Sequence, residues 1–325
     1  MIDEGVFMSR RKLRRAFSRL LLLAPVSTLG MACSSTWGCE SGSPQQETRP
    51  IANIPLSDGG TATADMPCEE LCALVGGTTP CSLHRTSEAL PEPDEVSCEM
   101  RYLCEGRRPE GLCSDGAVAG GAPELGALFA KMAHLEAASV PAFERLADEL
   151  SAHGAPERLV RAARRSAGEE VRHARVMEAL AVRHGAAMPE LTVAPFQHRS
   201  LEALALENAV EGCVRETFGA LLAQWQARCA EDAAVRESLG TIAPDELRHA
   251  ELSWAIDAWA LGRLSSEARA RVEAARSEAW LALERDAEAS LLPGAVARTS
   301  GLPSAQVARR LVRELARALT APLPV

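Results

Sequence analysis

One six-residue string occurs twice in this chain almost unchanged. It reads Glu-Val-Arg-His-Ala-Arg at 170–175 and Glu-Leu-Arg-His-Ala-Glu at 246–251. In each copy Glu and His stand three apart, so on a helix both leave one face and can reach a single metal ion. A single pair of this kind arises by chance on any charged helix, whereas two in matching frames require a common cause. The frames extend upstream: Glu136 lies 34 residues before Glu170, and Glu211 lies 35 before Glu246. Phe143 and Phe218 each follow the upstream Glu by seven, and Leu146 and Leu221 each follow it by ten. The chain therefore holds a duplicated helix pair, with Glu on its first helix and Glu-x-x-His on its second. Gly168 and Pro244 each precede the motif Glu by two and weaken the helical ladder there, as expected where a turn is distorted to aim ligands.

Punctuation sets the helices. Helix A is expected from about Pro123 to His153, with a kink at Pro141. Gly154-Ala155 makes a short turn, and Pro156 opens a helix B that ends at Gly185. Residues 185–199, with Pro189 and Pro195, form a longer connection. Ser200 caps helix C, which runs to about Cys229, and a turn near Glu231-Asp232 leads into helix D, ending by Gly262. Short, long and short connections pair A with B and C with D, with one crossover between the hairpins. Amphipathic helices follow near 265–290 and 304–320, the second striped by Val307, Leu311, Leu315 and Leu319. Sparse aromatics and abundant Ala, Leu, Glu and Arg agree with an all-α class.

Glu136, Glu170-x-x-His173, Glu211 and Glu246-x-x-His249 resemble the ligand set of the ferritin-like di-iron carboxylate superfamily, which includes rubrerythrins and bacterioferritins. The resemblance covers about 124–262. It implies a ferritin-like four-helix bundle holding two iron ions, or two manganese ions. It further implies that Glu170 and Glu246 bridge the ions, that Glu136 and His173 complete one, and that Glu211 and His249 complete the other. Physical chemistry points the same way: six inward ionisable groups are intolerable in an apolar core unless paired or coordinated. Four carboxylates offset two divalent charges, and imidazoles suit iron or manganese. Glu207, one turn before Glu211, is either an extra carboxylate near the metals or a capping and surface residue. Glu144, Glu169, Glu178 and Asp245 are expected on solvated faces. Cys213 and Cys229 are expected as buried free thiols, and His134, His153, His184 and His198 as mostly exposed.

The region before the bundle reads differently. Basic residues at 9–16 followed by largely apolar residues at 20–32 have the shape of a secretory leader over 1–32. Cleavage would fall just before Cys33, which is also the candidate for lipidation; Ser9-Arg10-Arg11 with Leu13 resembles a twin-arginine signal, against an ordinary Arg-rich leader. Residues 33–66 read as a flexible tether. Cys68, Cys72, Cys81, Cys98, Cys104 and Cys113 crowd 67–114 and, in an oxidising compartment, form a disulfide framework with fifteen open connectivities. Their spacing lacks the paired Cys-x2-Cys of zinc ribbons and rubredoxins. A Gly-rich linker joins this segment to the bundle at 123–262, and 263–325 hold the C-terminal helices.

These readings narrow the function. A net charge of −9 gives no case for nucleic acid as a partner. The one tyrosine, Tyr102, lies in the Cys-rich segment, which removes a tyrosyl radical and a ribonucleotide reductase role. The expectation is an exported protein of the periplasm or cell envelope, with a lipid anchor at Cys33 as the alternative to a soluble form and the only route to a membrane, and a homo-oligomer is compatible with the apolar C-terminal stripe. It is expected to be an oxidoreductase that reacts with dioxygen or peroxide, using an electron donor the sequence leaves unidentified. The rival is a non-enzymatic envelope scaffold or binding protein with a structural or vestigial metal site.

Overall fold

The helix-favouring texture after residue 123 folds into long helices. The computed structural model describes residues 10–22, 45–54, 61–74, 78–87, 92–100, 107–109, 112, 123–289 and 294–320. Cys33, Tyr102, Cys104, Cys113, most of the tether and the Gly-rich linker lie outside the described residues, as does the Cys98 side chain.

In chain order the elements are α1 (Arg10–Leu21), β1 (Gln45–Pro50), α2 (Cys68–Leu74), β2 (Thr78–His84) and β3 (Glu95–Met100). There follow α3 (Glu124–Ala152), α4 (Glu157–Arg183) and α5 (Leu201–Glu207), then a π-helical stretch, Asn208–Glu216, that runs straight into α6 (Thr217–Cys229). The chain continues through α7 (Ala233–Leu261), α8 (Ser266–Ala289), α9 (Gly294–Ser300) and α10 (Ala305–Thr320). The protein is thus mostly helical. The three strands form a small antiparallel sheet in the order β1-β3-β2.

Local chemistry explains the boundaries. Gly154 and Gly185 end α3 and α4 with φ of 68° and 82°, left-handed values that cost glycine nothing. The Ser200 hydroxyl accepts from the Ala203 N–H at 3.2 Å, and Asp232 accepts from Ala234 and Val235, so both later helices carry side-chain caps. Helix α3 runs through Pro141 without a break. The connection of 184–200 is clamped at its end by Arg199, whose backbone N–H, Nε and Nη2 all donate to the fully buried Glu149 carboxylate. Helices α3 and α4 pack together, as do α6 and α7, which is the pairing the connection lengths predicted; in addition α4 packs on α7.

Two apolar clusters fill the bundle. One includes Phe143, Leu146, Leu159, Ala167, Ala209 and Leu252; the other includes Phe129, Ala133, Met177, Ala223, Leu239 and Ala243. On α3, α4 and α7 a polar layer falls between them: Glu136 between Ala133 and Phe143, Glu170 and His173 between Ala167 and Met177, and Glu246 and His249 between Ala243 and Leu252. Burial of the two apolar layers thereby carries the charged layer into the interior. The duplicated Phe143 and Phe218 and the duplicated Leu146 and Leu221 are all buried.

A third cluster seats α1 on the outside of α6 and α10. The basic stretch expected to be a leader is here an amphipathic helix, with Leu13, Phe17 and Leu20 buried against Leu311, Leu315 and Leu319. Arg14 Nε donates to Glu251 of α7 at 2.6 Å, and Arg10 lies 3.4 Å from the same carboxylate. The C-terminal stripe is thus covered by the chain's own N-terminus in this structure. In the Cys-rich segment, Cys68 and Cys81 form a disulfide and Cys72 is disulfide-bonded as well. Leu71, Ile54 and Val96 pack beside them in a small core.

Candidate metal centre

The two Glu-x-x-His motifs meet across α4 and α7. His173 Nδ1 lies 2.9 Å from Glu246 Oε1, 3.5 Å from Glu170 Oε2 and 3.6 Å from Glu136 Oε2. His249 Nδ1 lies 3.0 Å from Glu170 Oε1, 3.7 Å from Glu246 Oε1 and 4.0 Å from Glu216 Oε2. Glu170 and Glu246 each face both imidazoles. Two groups of ligand atoms are close enough to hold a cation: Glu136, Glu170, His173 and Glu246 form one, and Glu216, Glu246 and His249 the other.

Five of the six residues named from the repeat meet here, and the sixth does not. Glu211 points to a pair of arginines, 3.5 Å from Arg108 Nη2 and 3.4 Å from Arg215 Nε. Glu216, which the repeat did not single out, stands among the ligand atoms in its place. The cause is the backbone. A count of 3.6 residues per turn loses register across nine residues of π-helix, whose hydrogen bonds run i to i+5. The distortion expected at Gly168 and Pro244 falls instead on this stretch, while α4 and α7 continue as α-helix past both residues. Glu207 is not near the ligands either; its carboxylate accepts twice from Arg107, at 3.0 Å each. Glu144 and Glu178 are exposed as expected, but His134 is buried beside the Pro189 carbonyl. Cys213 is a buried free thiol, and Cys229 a half-buried one.

Glu169 and Asp245, expected on solvated faces, hold the outer nitrogens of the two histidines. His249 Nε2 donates to Glu169 Oε2 at 2.9 Å, and His173 Nε2 donates to Asp245 Oδ2 at 3.2 Å. Each acid directly precedes one motif Glu and supports the histidine of the other motif. Arg248 ties the two acids together, donating to Glu169 at 2.8 Å and to Asp245, while Arg172 donates to Asp245 at 3.1 Å. Both arginines also bond the carbonyl four residues back, at Gly168 and Pro244. The repeat carried this signal in its acidic residue before each motif Glu and its Arg before each His. A carboxylate on the outer nitrogen fixes the ring and leaves Nδ1 as the inward ligand atom.

Several buried atoms of the centre face only one another and make no aligned hydrogen bond: Glu170 Oε2, His173 Nδ1, Glu246 Oε1, His249 Nδ1 and both oxygens of Glu216. All belong to the two ligand groups. Orphaned atoms of this density are rare in a protein interior, and a cation between them satisfies the set. Burial and the neighbouring Glu170 push the Glu136 carboxyl well above the usual range, and burial with Glu246 and Glu170 raises Glu216 to about 8. For Glu246 burial acts upward, but His249 and His173 outweigh it and hold the carboxyl low. Both imidazoles are raised: burial opposes this, and the carboxylates around them prevail. The donor set of four carboxylates and two imidazoles therefore fits a pair of divalent cations in charge and in ligand type.

A mostly apolar cavity of about 40 Å³ abuts the centre on one side, where Glu136, Glu170 and Glu246 share its wall with Met132, Met177 and Ile242. That is room for a few water-sized molecules. Comparison of the chain with family models, with curated proteins and with solved structures returns no match.

Proposed function

We propose that this chain is a di-metal oxidoreductase of the ferritin-like carboxylate kind that reacts with dioxygen or peroxide. The observation that carries the reading is the buried ring of unpartnered ligand atoms around His173 and His249, with Glu170 and Glu246 between them. Glu136 and His173 would complete one ion, Glu216 and His249 the other, and the two central carboxylates would be shared. When bound, a pair of iron or manganese ions supplies the two electrons that reduce an O–O bond.

The chain's own residues supply the rest. Glu169 and Asp245 fix the imidazoles so that Nδ1 faces inward. Glu136 and Glu216, whose carboxyls are raised by burial and by their acidic neighbours when no metal is bound, would give up their protons to hold the ions. The small, mostly apolar cavity has room for a diatomic or peroxide-sized molecule. The Cys68–Cys81 disulfide suits an oxidising compartment, which supports export to the periplasm or cell envelope. Removal of a leader ending at residue 32 would take α1 with it, so N-terminal sequencing of the protein recovered from cells decides between a retained and a removed helix.

The test is anaerobic loading with ferrous iron followed by dioxygen. Two equivalents bound, with absorption from ligand-to-metal charge transfer and repeated oxidation of added iron, is the expected result. Binding without turnover would favour the scaffold reading, and absence of binding would remove the metal centre altogether.

A further inference from the structure

The segment 107–109 arrives from the Cys-rich region and enters the bundle beside the π-helical stretch. Arg107 is 1% exposed, a large desolvation cost for a cation that sequence gives no reason to expect in a helical core. Its Nη1 donates to both oxygens of Glu207 on α5, and its Nη2 donates to Asn208 Oδ1 at 2.7 Å and Ser253 Oγ at 3.3 Å on α7. Its backbone carbonyl accepts from Ser139 of α3 at 2.8 Å. One residue thus ties together α3, α5, the first turn of the π-helix and α7.

Two short paths lead from Arg107 to the centre. Ser253 Oγ, its hydrogen-bond partner, donates to the His249 carbonyl at 3.0 Å. Its guanidinium also lies over the Phe143 ring, 5.4 Å from the centroid, and Phe143 packs 5.1 Å from the His249 ring. Gly212, inside the π-helical stretch, leaves the space the guanidinium occupies: a Cβ there would collide with Arg107 Nη2 and lie 2.7 Å from Ser253 Oγ.

We infer that Arg107 is a positioning residue: it holds the Asn208–Glu216 stretch in its wide turn and thereby places Glu216, with His249, as the donors for the second ion. This rests on the di-metal reading and adds a dependence of one ion site on the chain's N-terminal segment.

The full-length protein, stripped of metal and titrated with cobalt(II), tests it. The parent is expected to take up two equivalents with visible absorption bands. In Arg107→Ala the second equivalent moves to about 10–100-fold higher cobalt, the cost usual for removing a group that orients a ligand, and the first equivalent stays in place. Arg107→Lys recovers part of the loss, and Gly212→Ala, which displaces the guanidinium from the bundle side, repeats it. Hydrogen exchange of the metal-free variants provides a readout independent of metal: amides of 208–217 exchange faster, while those of 124–136 hold. Unchanged cobalt binding and exchange in Arg107→Ala, or equal weakening of both ions, would overturn the inference. Where Arg107→Ala does not fold, Arg107→Lys and Gly212→Ala carry the same comparison. If the parent itself binds no cobalt, the di-metal reading fails, and exchange at 208–217 still decides whether Arg107 holds the wide turn.

Discussion

The two copies of the helix pair differ in one half and agree in the other. Their second helices, α4 and α7, present Glu and His in matching roles, each histidine supported by the acid of the opposite copy. Their first helices have diverged. α3 is unbroken α-helix and offers Glu136 where the count places it, whereas the second copy's first helix passes through a π-helical stretch and offers Glu216. Duplication therefore preserved the motif whose two ligands sit on one helical turn. It did not preserve a ligand whose position depends on the backbone path over many residues.

The largest test of that contrast exchanges the two carboxylates. Glu216→Gln should abolish binding of one of two metal equivalents, a loss greater than the ~10–100-fold expected for orienting groups. Glu211→Gln should keep both equivalents and instead leave Arg108 and Arg215 without their shared carboxylate. That unpaired buried charge should destabilise the fold by about 3–5 kcal/mol, read by urea unfolding. A reversed pattern would restore Glu211 as the ligand and make the π-helical register irrelevant.

Fold and site were legible to different depths. Connection lengths and caps located the four long helices within a few residues, because Gly154, Pro156, Ser200 and Gly262 act locally. Glu170, His173, Glu246 and His249 were legible because two pairs at helical spacing need no knowledge of the rest of the chain. Glu216 was not legible, since nothing in Asn-Ala-Val-Glu-Gly-Cys-Val-Arg-Glu announces a π-helix, and Gly212 acquires meaning only once Arg107 is seen beside it. Arg107 itself was out of reach: its partners Glu207, Asn208 and Ser253 lie 100 to 146 residues away. Glu169 and Asp245 were misjudged by type, because charged residues on helices are usually solvated.

A second pair of substitutions asks whether the supports cross between copies. Glu169→Gln should weaken the ion at His249, and Asp245→Asn the ion at His173, each by about 10–100-fold. The effect at Glu169 should be the larger, since its contact with histidine is the shorter, 2.9 against 3.2 Å. Selective loss on the same copy as the mutation would break the crossed arrangement. The raised imidazoles make a further prediction common to both copies. Protonated in the metal-free protein at neutral pH, they must release protons on binding, and with the raised Glu136 and Glu216 carboxyls the total is on the order of four per chain. Calorimetry in buffers of different ionisation enthalpy counts them, and a count of about two or fewer would mean that the histidines are not ligands.

The last test concerns acid stability without metal, and it isolates one half of the crossed pair. Burial alone would raise the Glu169 carboxyl, but hydrogen bonds from His249 and Arg248 dominate and bring it from an ordinary 4.5 to about 2. A carboxyl lowered on folding stabilises the native state only while ionised in both forms. Its contribution is therefore complete above about pH 4.5 and is lost as pH falls toward 2. The magnitude is on the order of 3 kcal/mol. Metal-free parent protein should lose stability steeply through that window in urea titrations, and Glu169→Gln should flatten the slope while lowering stability at pH 7. Were the slope the same in both proteins, Glu169 would not be holding a charged histidine. The symmetry between its pairing and that of Asp245 with His173 would then be one of position rather than of energy.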